Sequence, residues 1–248
     1  MPTHTAQWDG FTFHHRNDPE FELLAREIFE GGEYSFDCDK SDPVILDCGS
    51  HIGLAVAWFK RRFPRARIFA FEPDPETFRL LVANVAANGF EGVELLNLAV
   101  SSRRGTARLF GDFGAAAPMA SAHSLRQDWG TQRSDQWIPV NTVPLADYIE
   151  GRIDYLKLDI EGMEMEVMQS IEPRLHLVRA LGLEFHGTGP DAADDEEDLI
   201  RLLRGCGFQV SVTRKPRSIF PPDIDAWVKR VQPYLSTIKA TRPPASAA

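Results

Sequence analysis

Apolar positions along this chain fall into two alternating rhythms. Short apolar runs end the stretches at 44–48, 67–71, 93–98, 155–160 and 180–185. They lack the in–out alternation of a one-sided sheet, so they are read as strands buried on both faces. Between them lie helical stripes. The first covers 19–30, with Phe21, Leu24 and Ile28 on one face and Gly31-Gly32 as its stop. Others cover 54–63, ended by Pro64, and 75–88, opening beside Asp74 and closing at Asn88-Gly89, a left-handed cap. Two more cover 163–170 and 199–204, the last stopped by Gly205. A further strand is expected at 208–213. A hairpin strand at 106–110, a short strand at 140–143 and a short helix at 144–150 interrupt the alternation. Strand–helix alternation predicts an α/β fold with a mostly parallel sheet flanked by helices. Residues 1–18 are polar and aromatic without a clear period. Residues 111–137 are rich in Gly, Ala, Ser, Gln and Asp, and a loop that long in a compact domain is functional or disordered.

One junction organises the rest. Val44-Ile45-Leu46-Asp47-Cys48-Gly49-Ser50-His51-Ile52-Gly53 is an apolar run that ends in an acid and turns through glycines into a helix. That is how a first parallel strand meets a nucleotide in an open α/β sheet. The spacing is Asp-x-Gly-x-x-x-Gly, without the full Gly-x-Gly-x-x-Gly of a dinucleotide site, so a tight turn with no ligand is the competing reading. Phe69-Ala70-Phe71-Glu72-Pro73 strengthens the nucleotide reading. Glu72 ends the second strand 25 residues after Asp47, close to the place of a ribose-binding acid.

Asp47 to Gly53, Ala70-Phe71-Glu72-Pro73 and Lys157-Leu158-Asp159-Ile160-Glu161-Gly162 together resemble the FkbM-type methyltransferases. Those are class I enzymes dependent on S-adenosylmethionine. Glu30 to Tyr34, Asn97 to Val100 and Glu184-Phe185-His186 are secondary matches, and the resemblance spans about residues 25–190. It implies a Rossmann-like class I methyltransferase fold, a seven-stranded mostly parallel sheet with an N-terminal helical cap and an inserted loop or hairpin. The expected divisions are a cap segment at 1–40, a methyltransferase domain at 41–240 and a flexible tail at 241–248. The amides of the 48–53 loop, including Gly49, Ser50, His51, Ile52 and Gly53, suit the methionine carboxylate. Glu72, with Pro73 beside it, suits the ribose. By analogy Asp47 sits under the methionine end, and Ala99 and Val100 close the third strand at the adenine edge. Tyr34 and Phe36 help to close the site, or simply pack. Ala120 to Leu125 resembles a serine-rich family stretch, making 111–137 a substrate-side lid or a disordered excursion. His51 stands where the family more often has Asn.

The reacting end should lie beyond the carboxyl ends of the first, fourth and fifth strands. Asp159 ends the fourth. Glu184 and His186, two apart on the fifth, point the same way. Three readings stay open. His186 is a general base oriented by Glu184 or Asp159; Asp159, Glu184 and His186 hold a magnesium or manganese ion; or Asp159 touches only the cofactor while the others are structural. Glu161 lines the same cleft or caps the next helix. Lys157, on a buried strand, needs a carboxylate partner, Asp47 or Asp154.

Composition narrows the partners more than the chemistry. The chain has 248 residues, 43% hydrophobic, and a net charge of −9. That disfavours nucleic acid and leaves a small-molecule acceptor, a natural-product or sugar-like hydroxyl by resemblance. Acids crowded at 191–198 read as a solvated helix start, and Lys60, Arg61 and Arg62 as complements to a helix dipole. Cys38, Cys48 and Cys206 form no framework, no apolar run reaches membrane-spanning length, and the first residues lack a leader pattern, so a cytoplasmic protein is expected. Oligomeric state is open, a homodimer included. An NAD-dependent oxidoreductase and a non-catalytic cofactor-binding protein are the alternatives.

Overall fold

The computed structural model describes residues 3–111, 113, 123–127, 136–187, 192–215 and 234–243. Its central sheet has seven strands, in the order Gln209–Arg214, Tyr234–Thr241, Ala180–Gly187, Tyr155–Leu158, Val44–Cys48, Arg67–Phe71 and Val93–Leu96. The parallel part comprises β3 (Val44–Cys48), β4 (Arg67–Phe71), β5 (Val93–Leu96), β9 (Tyr155–Leu158) and β10 (Ala180–Gly187). At one edge β12 (Tyr234–Thr241) runs antiparallel between β10 and β11 (Gln209–Arg214). The switch in strand order falls between β3 and β9, so their carboxyl ends open together.

Neighbouring residues on β3 feed different cores, as strand geometry requires. Ile45 joins the layer beneath α1 (Asp18–Phe29), α2 (Leu54–Arg62) and α3 (Pro75–Ala87). Leu46 joins the opposite layer, which holds Val167 and Met168 of α4 (Glu164–Ile171) and Leu199 and Leu203 of α5 (Ala192–Gly205). The two cores explain why these strands carry no polar alternation. Lys60 is buried, and its ammonium donates to the carbonyls of Ala66 and Glu91. It therefore pins neighbouring loops as well as ending a helix.

Several elements differ from the sequence reading. The first residues, read as irregular, form a hairpin of β1 (His4–Trp8) and β2 (Phe11–His15). Its turn is Asp9-Gly10, both at positive φ, a combination that matches strand twist. The hairpin docks on α3, where Thr12 N donates to Asn88 Oδ1 (2.8 Å) and His14 N to Asn84 Oδ1 (2.6 Å). The third core strand stops at Leu96. Ala99 and Val100 do not close it; they belong to β6 (Ala99–Ser101) of a separate sheet, β6-β8-β7, with β7 (Gly105–Phe110) and β8 (Trp137–Pro144). Leu145–Tyr148 forms a single 3-10 turn. Strand β12 was not expected at all. Its sequence mixes Ser, Thr and Lys into an interior strand, with Ser236 and Thr237 buried. The acidic start of α5 is not wholly solvated, because Glu196 is buried against Arg214. Asp191 and residues 244–248 lie outside the described residues. Thr241 closes β12, and Arg242 donates to the Val178 and Leu175 carbonyls.

Candidate active site

The glycine loop after β3 is fixed by its neighbours on both sides. Gly49 has φ +81°, and a Cβ there would stand 1.9 Å from the Asp159 carbonyl oxygen. Only glycine lets the two strand ends meet. Gly49 N and Ser50 N donate to the Phe71 carbonyl at 3.0 and 2.8 Å, which ties the loop to β4. Gly53, also left-handed, opens α2. His51 is held at φ +49°, and its amide donates to Glu72 Oε2 (2.9 Å). Asp74 N donates to Glu72 Oε1 (2.8 Å). Two backbone amides thus aim one carboxyl group, and each of its oxygens keeps further acceptor capacity. Burial pushes the Glu72 carboxyl up to about 8. Pro73 follows, its carbonyl accepting from Asn97 Nδ2 at 3.0 Å.

Asp47 lies beneath this loop, fully buried. Its counter-ion is Lys157, directly opposite in the β3–β9 register, with Nζ 3.2 Å from Oδ1. The same ammonium donates to the Gly49 carbonyl (2.7 Å) and lies 3.5 Å from Asp159 Oδ2. Asp154, the other partner considered for Lys157, instead receives Lys40 and the Val44 amide, both at 3.0 Å. Burial would lower the lysine's pKa, but Asp47 and Asp159 raise it, so it stays charged.

The loop's polar groups fit a polar cofactor. The Asp47 carboxylate accepts no aligned hydrogen bond, and His51 Nδ1, also buried, has no hydrogen-bond partner. Asp47, Gly49, Ser50, His51, Ile52, Gly53, Glu72 and Pro73 therefore gather at adjoining strand ends. Ile52 contributes mainly to the core, its carbonyl accepting from Asn84 Nδ2 at 2.8 Å. Ala99 and Val100 stand in the side sheet and bury their side chains. Ala99 packs with Leu109 and Val140, and Val100 packs in the α4-side core.

Asp159, Glu184 and His186 converge, with one ligand-capable atom from each lying within 4.8 Å of the others. His186 sits among carboxylates. Its Nδ1 is 3.2 Å from Glu164 Oε1, and its Nε2 is 3.4 Å from Glu161 Oε2 and 3.7 Å from Glu184 Oε2. Burial alone would lower its pKa, but Glu161, Glu164 and Asp159 hold it well above the usual histidine range. Asp159 is the reverse case. Burial opposes its charge, yet Lys157, His186 and Lys215 keep it below the carboxylate norm. Tyr34 Oη donates to Asp159 Oδ2 at 3.3 Å, whereas Phe36 stacks on Tyr155 within the core.

A divalent ion fits this set poorly. Lys215 Nζ already holds Glu184 Oε1 at 2.7 Å, and both imidazole nitrogens face carboxylates. A metal would have to displace the Lys215 ammonium and compete with the carboxylates for the ring nitrogens.

Glu33, Glu164 and Lys215 were not singled out by the sequence reading. Lys215 bridges Glu33 (2.8 Å) and Glu184 (2.7 Å) from the end of β11, and Thr237 Oγ1 donates to Glu33 Oε1 (3.0 Å). Burial, Asp159 and Glu33 push the Glu184 carboxyl well above its usual range. Glu33 stood inside a family match, but a signal for Lys215 needed β12 to be placed first. Glu164 takes the helix-start role considered for Glu161, its carboxylate accepting from Gly162 N at 3.0 Å. Glu161, at φ +57°, lines the cleft. Above it, Ser124 pairs with Phe110 through backbone bonds of 2.7 and 3.0 Å and donates its hydroxyl to the Glu161 carbonyl. Residues 120–122 of the serine-rich stretch lie outside the described residues.

Known proteins resemble this chain in sequence and in fold. The methyltransferase FkbM domain matches residues 47–210. Methyltransferase sdnD of Sordaria araneosa is 29% identical over 243 residues, covering 87% of this chain and 91% of that protein. The 2-O-methyltransferase NoeI of Sinorhizobium fredii is 29% identical over 160 residues, covering 59% of this chain and 65% of that protein. Among solved structures, methyltransferase FkbM from Methylobacillus flagellatus superposes with a TM-score of 0.52 at 13% identity. That match covers 86% of this chain and 47% of the solved one, so this chain spans about half its length. The fold, the glycine loop with its paired acid and the domain match lead to one conclusion: this chain belongs to the FkbM family of S-adenosylmethionine-dependent methyltransferases.

Proposed function

We propose that this enzyme methylates a hydroxyl oxygen of a small, sugar-like or natural-product acceptor, and that His186 takes the hydroxyl proton. The observation that carries the reading is the imidazole of His186 fixed by Glu164, Glu161 and Glu184 beside Asp159. S-adenosylmethionine supplies an electrophilic methyl group on a sulfonium centre. Methylation of a neutral hydroxyl leaves the oxygen positively charged until its proton departs, so a base within reach lowers the barrier. NoeI, named for 2-O-methylation, supports an oxygen acceptor.

Each residue then has a task. Glu72, aimed by the His51 and Asp74 amides, accepts from the ribose hydroxyls. The Gly49, Ser50, His51 and Gly53 amides, expected to take the methionine carboxylate, already donate to Phe71, Glu72 and Ser50, so the first amides of α2 are left to receive it. Lys157 is the counter-ion of Asp47 and Asp159 on the donor side. Glu161 and Glu164 hold the imidazole proton most strongly, so His186 acts as base in the neutral fraction that grows as pH rises through its raised pKa. The segment around Ser124 covers the Glu161 turn and excludes water.

The test is transfer of isotope-labelled methyl to a panel of hydroxylated acceptors by wild type and His186→Ala. Loss of about 100- to 10,000-fold in kcat with unchanged product-nucleoside binding supports the base assignment. Full activity in the variant removes it.

A further inference from the structure

A second histidine cluster lies on the N-terminal hairpin, apart from the groups used above. His4 and His15 are directly opposed across the β1–β2 pair, and their rings meet edge to face at 5.7 Å. Asp18, the first residue of α1, turns back onto both. Its Oδ1 is 2.6 Å from His4 Nδ1 and 3.6 Å from His15 Nδ1. One donor atom from each of the three lies within 4.8 Å of the others.

His15 is the telling member. Its ring is 4% exposed and stacks on Phe21 at 4.4 Å, yet its buried Nδ1 has no hydrogen-bond partner. Leaving a buried polar nitrogen unsatisfied costs about 1–3 kcal/mol. That nitrogen faces the carboxylate, too far to bond it directly. In a tetrahedral zinc site with bonds of about 2.0–2.2 Å, ligand atoms stand roughly 3.4 Å apart. The His15–Asp18 separation already matches. His4 would give up its direct contact with Asp18 and move out by under about 1 Å on an exposed strand.

We propose that His4, His15 and Asp18 form a binding site for a zinc-type divalent transition-metal ion. Two imidazoles with one carboxylate select such ions over magnesium or calcium, which prefer all-oxygen ligands. The site differs in kind from the catalytic cluster, whose imidazole is enclosed by acids and whose Glu184 is held by Lys215. Its effect would be to fasten the first strand to the start of α1. The neighbouring residues His15, Arg16, Glu20 and Phe21 line a small cavity of about 20 Å³ together with His51 of the donor loop. Metal binding would therefore stiffen one flank of that loop.

Zinc chloride titrated into the full chain, followed by calorimetry and by amide hydrogen exchange, tests this. His15→Ala risks the packing on Phe21, so His4→Gln and Asp18→Asn, both at exposed side chains, are the working variants. The expected result is zinc-dependent slowing of exchange across residues 4–29 in wild type, with affinity at least tenfold weaker in both variants. Unchanged exchange in this segment, or variants that bind zinc and gain protection as wild type does, would overturn the proposal.

Discussion

At the residue scale, the active site depends on pairing each acid with a specific counter-charge. Asp47 and Lys157 are both almost fully buried. Replacing Lys157 by Met strands Asp47, and breaking one half of a buried pair costs about 3–5 kcal/mol. Urea unfolding should show a loss of that order for Lys157→Met, and a near-wild-type midpoint would count against the pair. His186 gives a pH signature. Its folded pKa lies above the ordinary 6.5, so its contribution to stability is fully present below about pH 6.5 and is lost as pH rises through the folded value. If the neutral ring is the base, kcat/KM climbs through that same raised value. Glu161→Gln removes the largest of the charges raising it, so the ascending limb should move to lower pH. An unmoved limb would assign the base elsewhere.

At the element scale, the tightest point is the contact between the end of β3 and the turn after β9. Gly49→Ala would force a Cβ to 1.9 Å from a backbone oxygen at a left-handed φ. The two strand ends would have to part, and a loss of several kcal/mol is expected. A thermal melt within 2 °C or so of wild type would contradict that packing. The same contact shows what the sequence could and could not disclose. The Asp-x-Gly-x-x-x-Gly turn and Glu72 were legible because each is local: a strand, its terminal acid and a glycine within a few residues. The convergence of Asp159, Glu184 and His186 was legible because parallel neighbours share an end. Strand β12 was not, since its burial comes from being inserted between β10 and β11 and owes little to its own composition. Lys215 was hidden for the same reason. The strand that holds Ala99 and Val100 was not legible, because an apolar pair looks alike in a core strand and in the small side sheet.

At the scale of the whole molecule, one sheet serves two jobs at one edge. The β3–β4 side holds the glycine loop and Glu72, and the β9–β10 side holds the acids around His186. The chain carries a net charge of −9, whereas within the site Lys157, Lys215 and His186 stand directly against the acids. The division of labour makes a simple forecast. Changes on the β4 side should weaken cofactor binding, and changes on the β10 side should slow turnover without weakening it.

Calorimetric titration with S-adenosylhomocysteine, on wild type, Glu72→Ala and His186→Ala, tests that division most directly. Wild type should bind the thioether in the micromolar range. Glu72→Ala should bind about tenfold or more weakly, as expected for the loss of one or two hydrogen bonds to the ribose. His186→Ala should bind within about threefold of wild type. Equal binding by the Glu72 variant, or no binding by wild type, would contradict the assignment of the glycine loop and Glu72 as the methyl-donor site.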